Sequence, residues 1–147
     1  MAARDQTSRP RSAKPIMAVV IDTDVASFFF KEDTRSALYE PHLAGQFLFL
    51  SFMTLAELRR WALKYNWGAQ KKTRFEKYLR RYSIKHSTPE LCLLWAEVMD
   101  AGRLAGKTIA VPDAWIAATA LYFDVPLITH NADDFRHVAG LNVIGER

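Results

Sequence analysis

Cysteine is almost absent from this 147-residue chain: a lone Cys92 forms no internal disulfide and supplies no cysteine metal cluster. A reducing cytosol is therefore the expected compartment. Its neighbours Leu91, Leu93 and Leu94 are apolar, so we expect a buried structural thiol rather than a nucleophile. No apolar run approaches the ~18 residues a membrane span requires, and the N-terminus lacks the apolar segment of a secretory signal. Both absences predict a soluble, cytoplasmic protein without membrane contact. The histidines are not paired at ligand spacing, which removes the usual zinc arrangements. Acids are scarce in one place. Residues 59–85 hold ten Lys or Arg against Glu76 alone, and residues 1–15 hold four against Asp5, so within a net charge of +4 the rest of the chain carries −8. A basic half set against an acidic half suits a nuclease, because phosphates need a cationic track while a metal needs carboxylates.

What is present is enough for one domain. The chain has the length of a typical domain, and 50% of it is hydrophobic. Residues 1–15, rich in Arg, Ser, Ala and Pro without periodicity, read as a disordered basic arm, and residues 16–147 as a single domain. Met17 stands directly before the first strand, so the arm is readable as an upstream extension. The β-branched run 16–21 reads as a buried parallel strand. Helices are expected over 23–31, 35–43, 54–65, 71–82 and 89–104, and from Pro112 onward. Gly68 is expected to end the 54–65 helix; Thr88 with Pro89, and Pro112, open the later ones. Further strands are expected at 46–51, 83–86, 126–129 and 141–144, with a short helix at 133–138. Strands alternating with helices imply a parallel sheet covered on both faces.

Four carboxylates carry the functional argument: Asp22 after Val19-Val20-Ile21, Glu57 in Thr54-Leu55-Ala56-Glu57-Leu58, Asp113 in Pro112-Asp113-Ala114, and Asp134 in Thr129-His130-Asn131-Ala132-Asp133-Asp134-Phe135. Ligands of open α/β sheets bind beyond the carboxyl ends of the strands, and all four acids can converge there. Taken singly, Asp113 and Asp134 do no more than favour a helix N-terminus, and Glu57 belongs to a solvated helix face. Asp22 is harder to dismiss, because a carboxylate directly after a buried strand seldom serves the core. Two carboxylates ~4 Å apart repel by roughly 4 kcal/mol at an effective dielectric near 20, and a bound cation removes that cost. Oxygen-only ligands favour Mg²⁺ or Mn²⁺ over Zn²⁺, and such an ion activates water and neutralises charge on a phosphodiester.

The strings Val20-Ile21-Asp22-Thr23-Asp24-Val25, Thr54-Leu55-Ala56-Glu57-Leu58, Pro112-Asp113-Ala114-Trp115-Ile116-Ala117-Ala118 and Leu127-Ile128-Thr129-His130-Asn131-Ala132-Asp133-Asp134-Phe135 together resemble the PIN-domain ribonucleases, most closely the VapC toxins of bacterial toxin–antitoxin pairs. The resemblance implies a three-layer α/β/α sandwich with a mostly parallel sheet and Mg²⁺- or Mn²⁺-dependent endonucleolytic cleavage of RNA. It also implies a homodimer and a small cognate VapB-like antitoxin. Carried over, Asp22, Glu57 and Asp113 match the family's central acids. Asp22 and Asp113 are then direct metal ligands, and Glu57 holds the metal or its water. Asp134 takes the fourth place with Asn131 assisting, and Thr23, Asp24 and Thr129 support. Asn131 stands where many relatives carry an acid, which favours one tightly held ion over two.

Arg59, Arg60, Lys64, Lys71, Lys72 and Arg74, interleaved with aromatic residues as on nucleic-acid platforms, are expected to follow an RNA backbone, with an antitoxin-docking surface or plain solvated charge as the alternatives, and the helices around Trp61 and Phe75 offer a dimer seam. For His130, beside the site, donation to a phosphate is weighed against an incidental placement, and the incidental reading is preferred. Two other readings are weighed. A catalytically inactive PIN-fold protein would keep the basic track and bind RNA without cutting it. Asp22-Thr23-Asp24 is also similar to the haloacid-dehalogenase phosphatase motif, but no Lys stands between Thr129 and the Asp133-Asp134 pair, and Glu57 and Asp113 are left without roles.

Overall fold

A computed structural model of the protein describes residues 17–146; the expected basic arm at 1–15 lies outside the described residues. Strand β1 (Ala18–Ile21) leads into helices α1 (Thr23–Lys31) and α2 (Ser36–Leu43). Strand β2 (Phe47–Ser51) follows, then α3 (Phe52–Lys64), α4 (Ala69–Leu79), β3 (Ser83–Lys85), α5 (Pro89–Leu104) and α6 (Val111–Phe123). Strand β4 (Leu127–Ile128), a single 3₁₀ turn at Ala132–Asp134 and β5 (Val143–Ile144) close the chain. All pairings are parallel, in the order β3-β2-β1-β4-β5.

Alternation along β1 divides the core. Val19 and Ile21 face one side with Val25, Phe30, Tyr39, Leu58, Phe75 and Tyr78 of α1 to α4, while Ala18 and Val20 face the other with Val98, Ile116, Ala117 and Ala120 of α5 and α6. Leu127 and Ile128 of β4 split in the same way. Both faces are thus covered, which gives the three layers expected. The handedness of parallel crossovers accounts for the division. Chain leaving β1 moves toward β2 and β3, but β4 is laid on the opposite flank of β1, so its incoming helices fall on the opposite face. The reversal opens a crevice beyond the ends of β1 and β4.

Local chemistry sets the helix starts. Ser51 accepts from the Met53 N–H (3.0 Å) to cap α3, and Thr88 accepts from the Leu91 N–H (3.1 Å) to cap α5, where Pro89 takes the first turn. The end of α3 differs from expectation. Asn66, not Gly68, takes the left-handed backbone (φ 51°), with the Trp67 N–H returning to the Ala62 carbonyl, and Gly68 instead precedes α4 at φ −74°. Asn tolerates that region better than other side-chain-bearing residues, and Gly68 is left to open α4. Cys92 is exposed, contrary to the expected burial. Leu91 faces inward and Val98 packs two turns on, so Cys92, a step of about 100° round the helix from Leu91, turns to solvent. Phe75 packs within the protein's own core, 2% exposed. Among the described residues no helix is long and apolar enough to cross a membrane.

Candidate active site

The crevice is built from the ends of β1 and β4 and the first turns of α1, α3 and α6. Asp22 leaves β1 and caps α1: its Oδ1 accepts the Thr23 N–H at 2.8 Å, and its Oδ2 accepts the Thr129 hydroxyl at 2.7 Å. The Thr129 oxygen in turn accepts the Asn131 N–H (3.0 Å), so one hydroxyl ties the loop after β4 to the acid after β1. Asp24, in the first turn of α1, accepts the Val25 N–H (2.7 Å) on one oxygen. Its other oxygen takes the His130 N–H (3.2 Å) and the Asn131 side-chain amide (2.9 Å). The Thr23 hydroxyl donates to Glu57 Oε1 at 2.7 Å and hydrogen-bonds the Thr54 hydroxyl at 2.9 Å, which fastens α1 to α3.

Desolvation and mutual repulsion mark these acids. Burial, then the charge of Asp24, pushes the Asp22 carboxyl up to about 8 against the lowering effect of the Thr129 and Thr23 hydrogen bonds. Burial raises Asp24 as well. Asp113, half-buried in the first turn of α6, rises to about 6 through burial and then the charges of Asp134, Glu57 and Asp24. Like charges gathered out of water in this way cluster at functional sites.

Of the residues expected at the site, Asp22, Thr23, Asp24, Glu57, Thr129 and Asn131 are joined by hydrogen bonds, and Asp113 and Asp134 by electrostatic coupling. Asp134 is exposed in the 3₁₀ turn, where a short regular helix was expected, and its neighbour Asp133 pairs with Arg136 at 2.5 Å. Thr54 was missed as a site residue. Its spacing of three before Glu57 places both on one helix face, and that was the available signal. Among the described residues no group of three or more His, Cys, Asp or Glu side chains stands ready to hold a metal ion as placed. The chemistry of the donors nevertheless fits a hard divalent cation: every candidate ligand is a carboxylate oxygen, and Asp22 and Asp113 carry raised values that positive charge would relieve.

Part of the expected cationic track is engaged in contacts within the protein. Arg59 pairs with Glu76 at 2.7 Å, and Lys71 lies 4.5 Å from the Trp67 ring centroid. Arg74 lies 4.3 Å from that of Phe30 while donating to the Phe30 carbonyl at 2.9 Å. The interleaved aromatics Phe75, Tyr78 and Tyr82 are buried, and Tyr78 donates to the Ala26 carbonyl at 2.7 Å.

An acid cluster at the reversal point of a parallel three-layer sandwich defines the class of this protein. A family model described as the PIN domain matches residues 19–141, and the chain belongs to that family. Ribonuclease VapC1 of Haemophilus influenzae strain R2866 is 26% identical over 127 residues, covering 85% of this chain and 95% of that protein. Among solved structures, VapBC-1 from nontypeable Haemophilus influenzae is similar with a TM-score of 0.73 at 25% identity, over 88% of this chain and 98% of that one. VapBC2 from Rickettsia felis, bound to a DNA fragment from its promoter, reaches a TM-score of 0.77 at 20% identity over the same shares and speaks for the fold. Membership disposes of the phosphatase alternative, which left Glu57 and Asp113 idle.

Proposed function

We propose that the protein is a Mg²⁺- or Mn²⁺-dependent endoribonuclease and the toxin of a VapBC-type toxin–antitoxin pair. The observation that carries this reading is the set of desolvated carboxylates, Asp22, Asp24 and Asp113, raised together at the strand ends beside Glu57. The names of the similar proteins, a ribonuclease and VapBC assemblies, support it.

In this mechanism Asp22 and Asp113 would hold the cation, with Glu57 beside them and Asp134 and Asn131 completing the set. A divalent cation bound there supplies positive charge for the phosphodiester's developing negative charge and makes a water more acidic. The chain's own part is preorganisation. Thr129 and the Thr23 N–H fix both oxygens of Asp22, and the Thr23 hydroxyl fixes Glu57. The acids then need little rearrangement as the reaction proceeds. Asn131 and the His130 N–H hold Asp24 beside them. The exposed cations of residues 59–85, Arg60, Lys64 and Lys72 first among them, attract the RNA backbone without reading its sequence. A VapB-like antitoxin, a homodimer and a cytoplasmic setting belong to the same reading.

The test is incubation of purified protein, freed of any copurified antitoxin, with total bacterial RNA at low salt in Mg²⁺ or Mn²⁺. Discrete fragments that vanish with EDTA and with Asp113→Asn are expected. RNA that stays intact but bound would move the protein to the binding-only class.

A further inference from the structure

We propose that the His130 side chain is a phosphate-binding residue of this site, its Nε2–H presented to bound RNA by the buried hydroxyl of Tyr39. This rests on the ribonuclease reading above and adds to the acids a ring N–H donor 91 positions from the residue that orients it.

The backbone fixes the root of the side chain. The His130 N–H donates to Asp24, so the residue is anchored at the edge of the acid cluster. Two rings then fix the plane of the imidazole: Phe28 meets it edge-on at 5.2 Å between centroids and 80°, and Tyr39 at 5.7 Å and 81°. The Tyr39 hydroxyl lies 2.5 Å from Nδ1. Its oxygen accepts the Glu146 N–H (3.2 Å), and its one proton has Nδ1 as the shortest acceptor, ahead of the carbonyls of Glu146 (3.2 Å) and Thr129 (3.4 Å). Burial raises Tyr39 further above its ordinary value, so the phenol keeps that proton. An Nδ1 that accepts leaves the imidazole hydrogen on Nε2.

Nε2 has no protein partner among the described residues and is not sealed away, since His137 alone contributes a buried side-chain nitrogen or oxygen without one. His130 is half-exposed and lines a cleft of about 360 Å³ with Asn131, Gly145, the acids Asp133, Asp134 and Glu146, and the cation Arg136. A phosphate entering a cluster of carboxylates meets repulsion, and a ring N–H at its rim offers a compensating hydrogen bond. Arg35 extends the same side. Its guanidinium lies 4.1 Å from the Phe28 centroid, one ring away from His130, and it feels the charge of Asp24. Asp33 grips it at 2.7 and 3.0 Å, so it adds donors more than net charge.

A packing role for His130 needs the ring, whereas phosphate binding needs the N–H. Wild type, His130→Phe, His130→Gln, Tyr39→Phe and Arg35→Ala are compared on one defined RNA by KM, kcat and thermal melting. A lost hydrogen bond to a charged group predicts a fall of roughly 10- to 100-fold in kcat/KM for His130→Phe, carried mainly by KM, with melting little changed. His130→Gln, which keeps an N–H donor, should recover most of it. Tyr39→Phe should fall between, because Nδ1 is then free to take the proton, and Arg35→Ala should cost least. A fully active His130→Phe, or a His130→Gln no better than His130→Phe, overturns the assignment. Should His130→Phe fail to fold, His130→Ala against His130→Gln makes the same comparison. Should wild type cut nothing, the ribonuclease reading falls by itself, and RNA binding in Mg²⁺ decides the donor: equal affinity for wild type and His130→Phe overturns it, and a tenfold loss supports it.

Discussion

The acid crevice gathers five carboxylates and the basic stretch at 59–85 ten Lys or Arg against one Glu, and the two manage their charge in opposite ways. In the crevice, like charges are drawn out of water against their own repulsion, and each oxygen of Asp22 and Asp24 is positioned by a hydrogen bond from another part of the chain or the adjoining N–H. In the basic stretch, charges stand in water, and several are engaged with rings or with Glu76. Charge density alone therefore does not locate chemistry here. Desolvated charge without a counterion does, because its unfavourable energy has a physical outlet only in a proton or a cation.

The sharpest way to break that contrast is Asp22→Asn. The amide oxygen still accepts one of the two hydrogen bonds, but the charge is gone. RNA cleavage should fall on the order of 10³-fold, while melting temperature at pH 8 without metal should rise. A variant that lost both activity and stability would mean that Asp22 serves the fold rather than the site.

A second, smaller effect is the response to pH. Asp22 goes from 3.8 to about 8 on folding, and Asp113 from 3.8 to about 6. Between those limits the folded protein binds protons that the unfolded chain has released, so stability attributable to these groups is greatest below the unfolded value and declines as pH rises. With chelator present, melting should drop by a few degrees between pH 5 and pH 8. Asp22→Asn should flatten that slope, and Mg²⁺ or Mn²⁺ should restore more at pH 8 than at pH 5. A metal-free wild-type curve as flat as that of the variant would remove the electrostatic strain from the account.

Much of this site was legible because strand ends and helix starts carry strong local signals. Asp22 follows a buried β-branched run, and Asp113 follows Pro112 at a helix start, so topology alone brings them together. Helix 23–31 was legible to the residue from its apolar spacing. What escaped depended on distant contacts. Nothing near Tyr39 announces a bond to His130, and His130, read as incidental, gains its place only from Tyr39, Phe28 and Asp24. Cys92 was misplaced because three leucines around it state that the helix has an apolar face without stating where Cys92 falls on it. The packing share of the basic stretch was hidden for a related reason. Composition counts cations, but only the fold shows that Arg74 covers Phe30.

The smallest expected effects separate two neighbouring cations within the basic stretch. Arg74 donates to the Phe30 carbonyl and covers its ring, whereas Lys72 is exposed with no side-chain partner among the described residues. Arg74→Ala should therefore lower stability in urea by about 1–2 kcal/mol, the size of one hydrogen bond plus a cation–ring contact, and leave the salt dependence of RNA binding unchanged. Lys72→Ala should leave the unfolding midpoint in place and reduce the slope of log affinity against log salt by about 0.7, as expected for one phosphate contact on a single strand. If both variants instead weakened RNA binding alike and neither touched stability, the stretch would be a uniform RNA surface. The crevice would then no longer be the only region whose charges are individually placed for binding.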